Sequence, residues 1–152
     1  MDLGLKNKVA LVAGGSMGLG RAVAMEMARE GAKVAICALD DPSLPAAEKL
    51  IRGETGAEVL AGAADGSDPL QATQFVRKAR THFGTVDILV NNAGGPPAMN
   101  FLEIDDTMWT NGFRLNLLST IVMTREVVPV MKEKRWGRII NMTSIAVKQP
   151  ID

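Results

Sequence analysis

Five short apolar runs, each separated from the next by a stretch of helical pattern, constrain this chain more than any other feature. The runs fall at residues 9–13, 34–38, 58–64, 86–90 and 138–142. Between them, residues 21–30 carry Ala22, Val23, Met25, Met27 and Ala28 at helical spacing and stop at Gly31. Residues 43–54 give a weaker helix closed by Gly56. Asp68 followed by Pro69 is a cap and a first-turn proline, and Leu70, Phe75, Val76, Ala79 and Phe83 then share a face up to Gly84. Asp105 or Asp106 caps a long helix running to about Lys134, in which Pro129 is expected to force a bend. Strands that are continuously apolar and joined by helices belong to a parallel sheet covered on both faces. Right-handed crossovers make it an α/β, doubly wound sheet of Rossmann type, with strand order 3-2-1-4-5. The fifth strand is then a bare apolar edge.

The chain has 152 residues, enough for one domain and a substantial core. Lys+Arg and Asp+Glu are 17 each, so the formal charge is zero, which gives no electrostatic reason to expect nucleic acid or a membrane as partner. A single Cys, Cys37, excludes an internal disulfide and a cysteine-built zinc site and suits a reducing, cytoplasmic setting. The first residues lack the long apolar core of a signal peptide, and the most apolar later stretch, residues 115–123, is too short to span a bilayer. The single His82 sits at a predicted helix end, where a cation complements the helix dipole.

Gly14, Gly18 and Gly20 follow the first strand and open the first helix. Glycine permits positive φ and close approach to the backbone, and the exposed N–H groups around residues 17–21 suit a pyrophosphate. The spacing is G-x-x-x-G-x-G, and no Gly-Lys-Ser/Thr follows, so this is not a P-loop. A ligand-free tight turn is the plainer alternative. Asp40 and Asp41 stand about where an acid would hold the ribose hydroxyls, or they cap the helix after Pro42.

Three more segments join the glycine turn: Asn91-Asn92-Ala93-Gly94, Asn116 inside the long helix, and the stretch from Arg138 to Ser144. Together they resemble the classical short-chain dehydrogenase/reductase family, from about Leu5 to Ser144, and within it the 3-oxoacyl-[acyl-carrier-protein] reductase group. The resemblance implies an NAD(P)-dependent oxidoreductase interconverting a carbonyl and an alcohol. It places the cofactor against Gly14, Ser16, Met17, Gly18, Leu19, Gly20, Leu39, Asp65, Gly66, Asn92, Ala93 and Gly94, with Asp65 accepting from the adenine amino group. It makes Asn116 the holder of a relay water and Ser144 the donor to the substrate carbonyl. Plainer readings stand beside these: Asp65 shaping a loop before the Asp68 cap, and Ser144 as an ordinary loop hydroxyl.

The family's proton donor is a Tyr after the Ser, with a Lys four residues further on, and this sequence has no Tyr. Residues 1–152 are therefore expected to be one dinucleotide-binding domain without the C-terminal strands, the Tyr/Lys pair and the substrate lid. Lys148 and Asp152 are more simply solvated charges than replacements for them. With Ala38 and Leu39 where the family carries Asp or Arg, neither cofactor signature is present, and the missing acid leans to NADP over NAD. The implied partners are a small carbonyl or alcohol and further copies of the chain, as a dimer or tetramer. The alternative is a non-catalytic nucleotide-binding module acting through a partner; a methyltransferase on a similar sheet is more distant.

Overall fold

A computed structural model describes residues 3–39, 42–95 and 99–149. Readings that fall on Asp40, Asp41, Pro96, Pro97 and Asp152 lie outside the described residues. Five parallel strands, β1 (Val9–Ala13), β2 (Lys33–Ala38), β3 (Val59–Ala63), β4 (Ile88–Asn91) and β5 (Arg138–Asn141), lie in the order β3-β2-β1-β4-β5. This is the expected doubly wound sheet. The helices are α1 (Gly18–Arg29), α2 (Ser43–Thr55), α3 (Pro69–Phe83), α4 (Asp106–Phe113) and α5 (Ser119–Glu133).

Alternation along the strands divides the core in two. Leu11, Ala35, Cys37 and Leu89 point to one face, where they meet Phe75, Val76 and Ala79 of α3 and Met123 and Val127 of α5. Ala10, Val12, Val34, Ile36 and Val90 point to the other, against Ala24, Met25 and Ala28 of α1 and Leu44, Ala47 and Ile51 of α2. Burying each large aliphatic side chain contributes about 1.5–3 kcal/mol, so both layers hold the sheet strongly. Asp68 caps α3 by accepting from the N–H groups of Leu70 at 2.8 Å and Gln71 at 3.3 Å. The side-chain amide of Gln71, followed by these backbone donors, holds the Asp68 carboxyl below the usual carboxylate range. A two-toothed ion pair, Arg77 to Glu126 at 3.0 and 3.2 Å, ties α3 to α5.

Two boundaries differ from the sequence expectation. Helix α1 starts at Gly18 rather than at residue 21, so two of the three turn glycines lie inside its first turn. The predicted long helix is divided by a π turn, Arg114–Leu118, between α4 and α5. Pro129 sits inside α5 without ending it. At the π turn, hydroxyl and amide groups reach back to carbonyls one turn earlier: Asn116 to Gly112, Ser119 to Leu115 and Thr120 to Asn116. Such back-bonding accompanies disturbed helical ladders.

At the amino-terminal end of the strands, buried Asp87 joins three elements. Its Oδ2 accepts from the Val9 N–H at 2.9 Å, its own N–H donates to the Val9 carbonyl at 2.9 Å, and its Oδ1 pairs with the Lys134 ammonium. At the sheet edge, all four residues of β5 are exposed.

Candidate dinucleotide site

A cleft of about 620 Å³ opens at the carboxyl ends of β1 to β4. That is where open α/β sheets bind ligands, and the volume lies within the roughly 300–1,000 Å³ range of small-molecule sites. Gly14, Ser16 and Met17 line it after β1, Leu39 after β2, Asp65 and Gly66 after β3, and Asn92, Ala93 and Gly94 after β4. Among the described residues, Asp65 is the one charged side chain on its wall. Met17 and Leu39, at 56% and 60% exposure, present apolar surface beside it.

Gly18, Leu19 and Gly20 do not line the cleft; they form the first turn of α1 next to it. Gly14 has φ +60° and Gly18 φ +54°, the left-handed region that favours glycine. A Cβ on Gly14 would lie 2.5 Å from the Asn92 carbonyl oxygen. A Cβ on Gly20 would run into the Gly14 carbonyl oxygen and lie 2.8 Å from Asn92 Nδ2. The Asn92 amide in turn donates to the carbonyls of Ala13 and Gly14 at 3.3 Å each. The glycine turn and the Asn-Asn-Ala-Gly segment are therefore one interlocked piece. Helix α1 carries no acidic residue in its first turn, so its unpaired N–H groups and positive dipole end are open to an anion.

Asp65 shapes its own loop and also borders the cleft. Its Oδ1 accepts from the Ser67 N–H at 2.8 Å and the Ser67 hydroxyl at 2.7 Å, which shapes the loop before α3, while the residue also lines the cleft. Ser144 stands apart, exposed, with its Oγ accepting from the Ala146 N–H at 3.1 Å. Asn116 also lies off the cleft. It is exposed in the π turn, its Nδ2 donates to the Gly112 carbonyl at 3.0 Å, and its own carbonyl accepts from Thr120 Oγ1 at 3.2 Å. Lys148 is exposed beyond the short turn Ile145–Val147.

Several cleft residues escaped the sequence reading. Ser119, Thr120 and Met123 reach it from α5, and Cys37 and Asn91 from strand ends. Burial pushes the Cys37 thiol up to about 12, partly offset by the Gly14 backbone. Asn91 is 5% exposed; its Nδ2 donates to Asn141 Oδ1 at 2.9 Å and to Thr124 Oγ1 at 3.4 Å, and its Oδ1 has no partner. A glycine turn with no room for a Cβ at Gly14 or Gly20, a helix N-terminus free of acids and a buried acceptor with no donor all fit a dinucleotide.

The model of the short chain dehydrogenase family matches residues 8–152. The chain belongs to that family. Among its relatives are the D-beta-hydroxybutyrate dehydrogenase of Cupriavidus necator, 36% identical over 92% of this chain and 54% of the relative. The 3-oxoacyl-[acyl-carrier-protein] reductase of Escherichia coli is 34% identical over 94% of this chain and 57% of that one. The L-sorbose reductase of Gluconobacter frateurii, solved with NADPH and L-sorbose, superposes with a TM-score of 0.95 at 34% identity. It covers 99% of this chain and 57% of its own. This short-chain dehydrogenase chain thus spans little more than half the length of the relatives it matches. Among the described residues, no helix is long and apolar enough to cross a membrane, and no cluster of side chains could hold a metal ion.

Proposed function

We propose that the chain is the dinucleotide-binding part of an NADP- or NAD-dependent reductase that interconverts a carbonyl and an alcohol. The observation that carries this is the interlock of Gly14, Gly20 and Asn92 beside the open N-terminus of α1. In this reading the N–H groups of Gly18, Leu19 and Gly20 bind the pyrophosphate. Asp65 accepts from the adenine amino group, Gly66 and Leu39 flank the adenosine end, and Ser16 and Met17 close the turn. Asn92, Ala93 and Gly94 support the opposite half. The bound nicotinamide would exchange a hydride with the substrate carbon. Ser144 would donate to the carbonyl oxygen and Asn116 would orient a relay water, once a ligand and further chain draw them to the site. The uncharged side chains Ala38 and Leu39 favour NADP, since neither repels a 2′-phosphate. A cytoplasmic dimer or tetramer goes with this reading.

The test is titration of the purified chain with NADPH and NADH, followed by cofactor fluorescence. Saturable binding that Gly20→Ala abolishes is expected, and failure of both cofactors to bind sinks the reading. A second reading is a nucleotide-loaded module without turnover that acts through a partner. Dinucleotide binding with no carbonyl reduced, together with a stable partner complex, separates it from the first.

A further inference from the structure

Met17, Cys37 and Met123 each turn a sulfur side chain to the dinucleotide cleft. Cys37 is 2% exposed and Met123 1%, whereas Met17 is 56% exposed. Burial also keeps the Cys37 thiol protonated, so it offers no thiolate to an oxidant. Among these three, a dissolved oxidant entering the cleft meets the Met17 thioether first. Met17 is also the N-cap of α1, with extended backbone at φ −152° and no side-chain hydrogen bond to the helix. A cap of Ser, Thr, Asp or Asn would occupy a first-turn N–H with its side-chain oxygen, but a thioether is only a weak acceptor. Methionine here leaves those donors open, and they are the ones the dinucleotide reading gives to the pyrophosphate.

We propose that Met17 is a modification site for peroxide, and that its sulfoxide closes the cleft to the dinucleotide. This rests on the dinucleotide reading, because it takes the displaced ligand to be the cofactor. A sulfur lone pair attacks one peroxide oxygen. The S–O bond forms as the O–O bond breaks, and the proton on the transferred oxygen leaves with the departing hydroxide as water. Sulfur gives up two electrons and the peroxide takes them. The product carries a polar oxygen about as far from Cα as the amide oxygen of a glutamine. From the N-cap that oxygen accepts from the first-turn N–H groups, as a capping side chain does, and repels phosphate oxygens seeking the same donors. Reduction of both sulfoxide epimers returns the thioether and reopens the site.

The experiment treats the chain with hydrogen peroxide, with and without NADP+, and locates the added oxygen by peptide mass spectrometry. Met99, 42% exposed and outside the cleft, serves as the internal reference. Met17 should gain oxygen well before Met123, and NADP+ should slow the reaction at Met17 but not at Met99. After the peroxide is removed, NADPH is titrated by cofactor fluorescence. Affinity should fall about tenfold, the size of one charge-assisted hydrogen bond lost, and return after treatment with the two methionine sulfoxide reductases. Met17→Leu carries the same oxidised methionines elsewhere, so its affinities before and after peroxide should agree within about twofold. Met17→Gln, with a permanent oxygen at that reach, should bind NADPH about tenfold more weakly than Met17→Leu without any peroxide. An oxidised Met17 with unchanged affinity overturns the proposal. So does a Met17→Leu chain that loses as much affinity to peroxide as the parent, which would place the sensitivity at another residue. An untreated chain that binds neither NADPH nor NADH removes the dinucleotide reading and this site with it. Cofactor binding that survives oxidation of Met17 removes the site alone.

Discussion

The Asn92 side-chain amide donates to the Gly14 carbonyl oxygen at 3.3 Å, across 78 residues of chain. It ties the turn after β1 to the end of the neighbouring strand β4 and so sets the spacing of the two segments that border the cleft. Asn92→Ala is expected to loosen the turn and weaken NADPH binding about tenfold, since a lost hydrogen bond of about 1–1.5 kcal/mol converts to that factor. Fluorescence titration checks this; unchanged affinity would leave Asn92 as a strand-end residue without influence on the cleft.

The glycines of the turn are not equivalent. A Cβ at Gly20 meets backbone, the Gly14 carbonyl, whereas a Cβ at Gly18 meets nothing within 4 Å and only the φ of +54° resists it. Gly18→Ala should therefore cost about 1–2 kcal/mol of stability. Gly20→Ala must displace the turn itself and should lower the melting temperature further and remove dinucleotide binding. Equal melting temperatures for the two variants would contradict this ordering.

The Asp87 carboxylate, just before β4, joins the start of β1 at Val9 to Lys134 at the end of α5. Asp87→Ala leaves the Val9 N–H without its side-chain acceptor and is expected to destabilise the fold by about 2–3 kcal/mol in urea unfolding. Lys134→Met removes only the partner of that carboxylate, at a position still 40% exposed, and should cost about 1 kcal/mol or less. A larger loss for Lys134→Met than for Asp87→Ala would mean that the ion pair, rather than the Val9 bond, holds this corner.

The Cys37 thiol, raised to about 12 by burial, gives a defined alkaline dependence. A folded value above the unfolded one of about 8.5 favours the protonated form in the native state. This contribution is fully present below about pH 8.5 and is lost as pH climbs toward the folded value. Cys37→Ala should flatten that part of the stability profile. Native protein should also resist iodoacetamide near neutral pH and react only after unfolding; rapid native labelling would place the thiol in a more open setting than the cleft floor.

The strand order was legible because the five apolar runs and the glycine stops carry it locally. The start of α1 was not, since glycines lower helix propensity, and the close approach of Gly20 to the Gly14 carbonyl is a contact that spacing alone does not reveal. The π turn leaves no periodic trace in composition, and it alters which residues of α5 face the cleft, where Ser119 and Thr120 stand. Of the adjacent Asn91 and Asn92, sequence could mark the pair but not tell which buries its side chain into the β4–β5 seam.

The walls of the dinucleotide cleft run from Ala13 to Met123, all upstream of β5. The edge strand lends that wall no side chain of its own; it acts as a buttress, its Asn141 Oδ1 accepting from the Asn91 side-chain amide at 2.9 Å.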